Sequence, residues 1–386
     1  MATLTTTASV SFAPPDLGPA EFEEVRATLE SGWLSTGPRV KQFERDFAAY
    51  TGAPYALALS SCTAALHLYL VASDITAGDE VVTTPLTFCA TANAIVHVGA
   101  TPVFADIDPI TWNLNPEAVQ GALSPRTRAI VPVHYAGRPA DMPAFEMLAR
   151  PRGIILIEDA AHCAEGVESG RKVGAIGDFT CFSFYATKNI TTGEGGMVTT
   201  RHAQAAERMR MASLHGMDRD AWARYAPGAR SQYDVRMAGF KYNMMDLQAA
   251  IGLQQLARVG EMHARRVAIT ARYDDGLAGL PLQKSAPSAP DMVHAHHLYP
   301  VLVDARAAGV TRDELQDRLR ERGISTSIHF RALHLHSFYR DQFGFERGMF
   351  PVAEMVSDQT LSLPLASSLT DDEIDRVIEA VHECFA

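Results

Sequence analysis

Much of what this 386-residue sequence excludes follows from what it lacks. It has no surplus of positive charge: 34 Lys and Arg stand against 45 Asp and Glu, a formal net charge of −11, with a pI near 5.7. Non-specific nucleic-acid binding needs a basic footprint, so that class is excluded, and any anionic ligand must be met by a local cluster of donors. Cysteine is scarce. Cys62, Cys89, Cys163, Cys181 and Cys384 are odd in number, widely spaced and without a CxxC pair, which argues against a disulfide scaffold and for small buried side chains in a reducing compartment. No apolar run approaches membrane-spanning length. The opening MATLTTTASVSFAPPD has neither a basic leader nor the apolar centre of an export signal, so a cytoplasmic protein without a membrane partner is expected. The chain also contains no GxSxG, GxxxxGK[ST] or HExxH. GEGG at 193–196 is not GxGxxG and precedes a strand pattern instead of opening a helix, which disfavours a nicotinamide dehydrogenase. HAHH at 294–297 has no carboxylate or thiol at ligand spacing, so no metal is expected there and the segment reads as the start of a strand.

What is present is ordinary in amount and regular in pattern. Hydrophobic residues make up 47% and charged residues 20%, the composition of a globular protein with ample material for a core. Short apolar runs alternate with helical patterns from about residue 56 to residue 200. The expected strands are 55–59, 80–84, 101–107, 129–135, 153–159, 179–185 and 196–200, and several are apolar on both faces, as in a sheet covered on each side. Helical patterns lie between them in TAALHLYLVAS, CATANAIVHVG, NPEAVQGAL and DMPAFEMLAR. This alternation predicts an α/β fold, a large domain with a mostly parallel seven-stranded sheet. Residues 245–280 read as one long helical pattern, followed by HHLYPVLVDA, TRDELQDRLRERG, ISTSIHF and TDDEIDRVIEAVHECFA, which alternate strand and helix. Thr370 ahead of Asp371, Asp372 and Glu373 suits a helix cap. The expected division is residues 1–250, a large domain with an N-terminal arm, and 251–386, a connector helix and a smaller α+β domain.

Three features carry chemistry. GIILIEDAAH ends a buried strand with Glu158 and Asp159, and groups beyond the carboxyl ends of parallel strands face the ligand crevice. FSFYATKNITTGEGG places Lys188 after the next apolar strand and before a glycine-rich loop. SSCTAALHLYL sets Ser60, Ser61 and Thr63 at the start of an apolar helix, whose free N–H groups form a phosphate seat. Taken singly, each has an ordinary reading as surface lysine, turn acid or helix cap. Together they supply what pyridoxal 5'-phosphate (PLP) requires: an amine to condense with its aldehyde, a carboxylate for its ring nitrogen and an anion site for its phosphate.

On these and further stretches the sequence resembles the DegT/StrS nucleotide-sugar aminotransferases of PLP fold type I. The resemblance runs through SGWLSTGP (31–38), SCTAALHL (61–68), GDEVVTTPLTF (78–88), GATPVFADID (99–108), VPVHYAG (131–137), IEDAAH (157–162), FSFYATKNITTGEGG (182–196) and GFKYNMMDLQAAIGLQQL (239–256). KYN (241–243) and SIHFRALH (327–334) are most similar to the branch that aminates a UDP-4-keto-pentose to 4-amino-4-deoxy-arabinose. The resemblance implies that Lys188 carries the coenzyme and Asp159 holds its ring nitrogen protonated. It further implies that Phe88 stacks on the ring, His162 touches its edge, and Thr63, the backbone of Ala64 and Ser183 bind the phosphate. Asn243 would reach that phosphate from the partner of a homodimer with shared active sites, with Lys241 sharing the work. Trp33, Ser35, His329 and Arg331 are candidates for the nucleotide-sugar site, with packing or surface roles as the alternative. Cys62 stands where the family usually has Gly or Ala, and Gly193, Gly195 and Gly196 would let the chain turn sharply beneath the coenzyme.

The implied reaction is a two-stage transamination with L-glutamate as donor, giving an amino-sugar nucleotide and 2-oxoglutarate. Two rivals are weaker. Dehydratases similar to this family replace the lysine with histidine, whereas Lys188 is present. A non-catalytic regulator would not need Lys188, Asp159 and Ser183 together.

Overall fold

The computed structural model of the chain describes residues 9–218 and 232–385. Seven strands form one sheet: β1 (Tyr55–Leu59), β2 (Glu80–Thr83), β3 (Thr101–Phe104), β4 (Thr127–Val131), β5 (Ile155–Asp159) and, beyond the small hairpin of β6 (Val167–Glu168) and β7 (Arg171–Lys172), β8 (Phe179–Ser183) and β9 (Gly196–Thr200). Each of the seven expected apolar runs supplies one of them, with ends that differ by a few residues. The order is β1-β9-β8-β5-β4-β2-β3, and only β9 runs against its neighbours.

Successive residues of a strand point to opposite faces, and both faces here are apolar. Leu57, Ile157, Cys181 and Val198 pack against α3 (Cys62–Ala72) and α7 (Ala203–Ala212). Ala58, Phe182 and Met197 pack with Phe43 and Phe47 of the 38–51 helix, while Val82, Ile130 and Leu156 meet Val119, Met142 and Phe145. A sheet buried on both sides explains the continuous hydrophobic runs.

The expected helix over 245–280 is two helices, Asp246–Ala257 and Val259–Gly276. The break falls at Arg258 (φ −113°, ψ 14°), whose guanidinium is tied to Asp16 and Glu21 of the N-terminal arm. Beyond it, β10 (Tyr299–Leu302) and β11 (Thr360–Leu363) form an antiparallel pair, and helices Arg312–Glu321 and Asp371–Phe385 share a core with them. Thr370 caps the last helix, its Oγ1 accepting from the Glu373 N–H at 3.2 Å.

Two expected strand segments differ. ISTSIHF makes only single bridges, Ile324 to Val10 and Ser327 to Ser362. HAHH lies ahead of β10, because His296 takes a left-handed conformation (φ +48°) that breaks the extended run. Among the described residues no helix is long and apolar enough to cross a membrane.

Candidate active site

Strands β1, β5 and β8 run in the same direction, so Leu59, Asp159 and Ser183 end at one edge of the sheet. Gly196, the first residue of the reversed β9, is paired with both Leu59 and Ser183 at that edge. Two residues, Ser60 and Ser61, separate β1 from α3, whose first turn lies directly over Gly196. A Cβ on Gly196 would stand 2.3 Å from the Ser61 carbonyl carbon and 2.5 Å from the Cys62 nitrogen. Only glycine permits that approach. Gly193, at φ +78°, turns the chain that leads into it. Ser183, paired with Gly196, therefore lies beside the first turn of α3, which carries Thr63 and N–H groups without a partner inside the helix and so can seat an anion. The Ala64 N–H donates to Ser61 Oγ at 3.0 Å, so a phosphate oxygen would share it with this cap.

Asp159 is 4% exposed. Its Oδ2 accepts from Thr91 Oγ1 at 2.7 Å and its Oδ1 from the Ala161 N–H at 3.1 Å. Burial raises its pKa, opposed by those two hydrogen bonds and by the charge on Lys188. The loop after β8 brings Lys188 to the same edge. Burial pulls this amine down to about 8, against the opposing pull of the Cys62 thiol and the Asp159 carboxylate. A lysine near 8 is poised to exchange protons close to neutral pH.

Aromatic rings wall the cleft. His162 is buried and stacks on Phe330 at 5.9 Å, with His297 4.4 Å away. Phe88, which precedes the 89–97 helix, stands 6.2 Å from Phe330 and is 60% exposed. That exposure rules out the ordinary reading of a core aromatic. His162 Nδ1 is buried and makes no hydrogen bond, a costly state that a bound polar group would relieve. An acid with unused lone pairs, an amine near 8 and an anion seat match the three needs of PLP, and the orphaned imidazole nitrogen adds a further polar contact. The residues fit the group.

The sugar-site candidates fall into two clusters. His329 faces the lysine pocket: its Nδ1 bonds Ser362 Oγ at 2.9 Å, and burial, then the Lys188 charge, push it down to about 3. Arg331, two residues on, is exposed and donates to the Leu335 carbonyl at 3.0 Å. Trp33, Ser35, Lys241 and Asn243 form a second group, and it adjoins the phosphate seat: Asn243 is bridged to Leu59 at the end of β1, and the Tyr242 carbonyl accepts from the Ser60 N–H at 2.7 Å. Trp33 Nε1 donates to the Thr36 carbonyl at 3.1 Å, Asn243 Nδ2 to Thr36 Oγ1 at 2.7 Å, and Lys241 to Asn243 Oδ1. The Ser35 carbonyl accepts from the Asp246 N–H at 3.2 Å. The side-chain hydrogen bonds of Lys241 and Asn243 stay within this second cluster.

The family model of the DegT/DnrJ/EryC1/StrS aminotransferases matches residues 15–382. The chain belongs to that family. It is an aminotransferase. The spore coat polysaccharide biosynthesis protein SpsC of Bacillus subtilis is 49% identical over 373 residues, 96% of each chain. A sugar aminotransferase of Streptococcus pneumoniae, Spr1654, solved in its PLP form, has a TM-score of 0.89 at 32% identity, covering 98% of this chain and 100% of that one. PseC of Helicobacter pylori, an aminotransferase involved in the biosynthesis of pseudoaminic acid, has a TM-score of 0.90 at 27% identity, covering 98% and 99%.

Several members of the pocket were not singled out from the sequence as site residues. Thr91 lies one turn inside the helix that Phe88 caps, so one helix start presents both the ring wall and the hydroxyl on Asp159. Phe330 sits inside SIHFRALH, between His329 and Arg331. His297 belongs to HAHH, whose crowding of imidazoles was the available signal. Asn189 directly follows the lysine.

Proposed function

We propose that this aminotransferase moves the amino group of L-glutamate onto the keto carbon of a nucleotide-linked sugar. The favoured substrate is a UDP- or TDP-linked 4-keto sugar, a pentose in first place, and the products are the amino-sugar nucleotide and 2-oxoglutarate. The observation that carries the reading is Lys188: an amine brought to about 8 at the sheet edge, beside a buried acid and an anion seat. PLP, when bound, supplies an aldehyde on which amino groups are exchanged and a ring that takes up the electrons of a broken C–H bond. Thr63, Ser183 and the start of α3 would hold its phosphate. Asp159 would keep the ring nitrogen protonated, Phe88 would cover one ring face, and His162 would meet the ring edge.

Lys188 would take the proton from the donor's Cα and return it to the carbon two atoms along, across the donor's nitrogen, as general base and then acid. His329 stays neutral, so near Lys188 it would bind sugar hydroxyls without adding charge. Arg331 and Lys241 are read as cations for the diphosphate in a chain of net charge −11. Asn243 and Lys241 bond to each other beside the end of β1, and on the resemblance they are read as reaching the partner subunit's site in a homodimer with shared active sites.

The family name, the sugar-related names of its relatives and KYN with SIHFRALH support this substrate class. The test is a panel of UDP- and TDP-linked 3-keto and 4-keto sugars with glutamate, reading 2-oxoglutarate release. Turnover of a 4-keto pentose is expected to lead the panel, and turnover of none of the sugars sinks the reading. Borohydride reduction of the yellow holoenzyme is expected to fix the coenzyme on the Lys188 peptide; label elsewhere would remove Lys188 from its role.

A further inference from the structure

We propose that His297 is a positioning residue for Lys188, presenting a bare Nε2 lone pair that takes one hydrogen of the amine and so aims the amine's own lone pair at the reacting carbon. The inference rests on the role of Lys188 as proton carrier given above. It follows from an amide whose orientation is fixed. Asn189 Nδ2 lies 2.7 Å from the Ala295 carbonyl oxygen and 2.9 and 3.0 Å from the two carboxylate oxygens of Glu165. A carbonyl oxygen only accepts, so the atom facing it must be the NH2 group. Asn189 Oδ1 therefore faces His297 Nδ1, at 3.0 Å. Since Oδ1 only accepts, Nδ1 must carry the hydrogen.

A neutral imidazole has one N–H, which leaves Nε2 bare, 3.4 Å from Lys188 Nζ. The ring is held neutral. It is 4% exposed, and burial first, then the Lys188 amine, with His162, Arg266 and His329 also facing it, depress its pKa well below the usual range. Were the ring charged, its Nε2–H would bond the amine's lone pair and turn it away from the reacting carbon. Glu165, itself buried and facing Arg266, anchors the far end of the chain of bonds.

The test uses the full-length protein as wild type, His297→Phe and His297→Gln. Phe keeps a ring but offers no acceptor, whereas Gln returns an acceptor oxygen at similar reach. In coenzyme-free protein, competitive acetylation with peptide mass analysis reads the titration midpoint of Lys188. His297→Phe is expected to lower that midpoint, because the ammonium loses an acceptor, and His297→Gln to restore it. In holoenzyme, washout of α-deuterium from labelled glutamate is expected to slow about tenfold to a hundredfold in His297→Phe, with KM for glutamate unchanged and most of the rate returning in His297→Gln. An unchanged midpoint and rate in His297→Phe would overturn the proposal, as would equal losses in both variants. His297→Asn, too short to reach the amine, repeats the test if the Phe variant does not fold. Lys188→Ala separates the two readings: washout that persists there refutes the role of Lys188, whereas its loss beside a normal His297→Phe removes only the positioning role.

Discussion

Glu158 and Asp159 are neighbours on β5, both buried, and they face opposite sides of the sheet. Glu158 has three donors. It accepts from the Gly177 N–H at 2.8 Å, from Thr180 Oγ1 at 2.6 Å and from His134 Nε2 at 3.1 Å. The His134 proton is placed by its other nitrogen, which accepts from the Ala140 N–H at 2.9 Å. Asp159 has two such donors and keeps lone pairs toward the cleft. The same contrast separates two lysines. Lys172 donates to Tyr50 Oη at 3.0 Å and to the Glu165 carbonyl at 2.7 Å, with its ammonium 4.3 Å over the Tyr50 ring. Lys188 has His297 at 3.4 Å. In both pairs the group that holds the fold has more hydrogen bonds from it, whereas the group meant for a ligand is left short of partners.

The largest effect that can break this contrast is on turnover. Asp159→Asn is nearly isosteric and keeps the Thr91 and Ala161 contacts, but an amide cannot hold a ring nitrogen protonated. It should lower kcat by about a hundredfold or more and leave thermal unfolding close to wild type. Near-normal turnover would remove the acid from its role. Glu158→Gln should do the reverse. Its NH2 group would meet either the Gly177 and Thr180 donors or the His134 N–H, leaving buried donors face to face. A stability loss of about 1–3 kcal/mol is expected, read by urea unfolding, with kcat near normal at a permissive temperature. A variant as stable as wild type would mean that the Glu158 network holds nothing together.

The sequence made the seven strands legible because a doubly covered sheet leaves continuous apolar runs, and the strand ends marked Asp159 and Ser183. Lys188 was legible by its place between such a strand and glycines whose need is now visible in the 2.3 Å approach of Gly196 to Ser61. Less legible was what lies across long chain separations. Nothing local in TFCAT announces that Thr91 will meet Asp159, 68 residues away, and nothing in HAHH shows that its last histidine turns inward to Lys188. The read-through at Arg258 failed for the same reason. The helix breaks where the Arg258 guanidinium is tied to Asp16 and Glu21, more than 230 residues earlier, contacts that no periodicity can report.

The lysine pair gives the smallest and most discriminating prediction, because its two members should respond with opposite sign. Burial brings Lys188 from 10.5 to about 8 in the folded coenzyme-free protein. Between those values the unfolded chain holds more protons than the folded one, so this group's share of stability rises with pH from about 8 to 10.5, and its penalty is fully present below 8. A shift of that size caps the penalty at about 3 kcal/mol. Lys188→Met removes it but also loses the His297 contact, so a net gain of about 1 kcal/mol at pH 7 is expected, shrinking toward pH 10. Burial also lowers the Lys172 pKa, opposed by the Glu165 charge, but Lys172→Met deletes two hydrogen bonds and should cost about 1–2 kcal/mol. Urea unfolding of both coenzyme-free variants at pH 7 and pH 9.5 reads the difference. If Lys188→Met is destabilised as much as Lys172→Met at pH 7, the active-site amine is bonded like any structural lysine, and the distinction between completed and incomplete partners fails where it matters most.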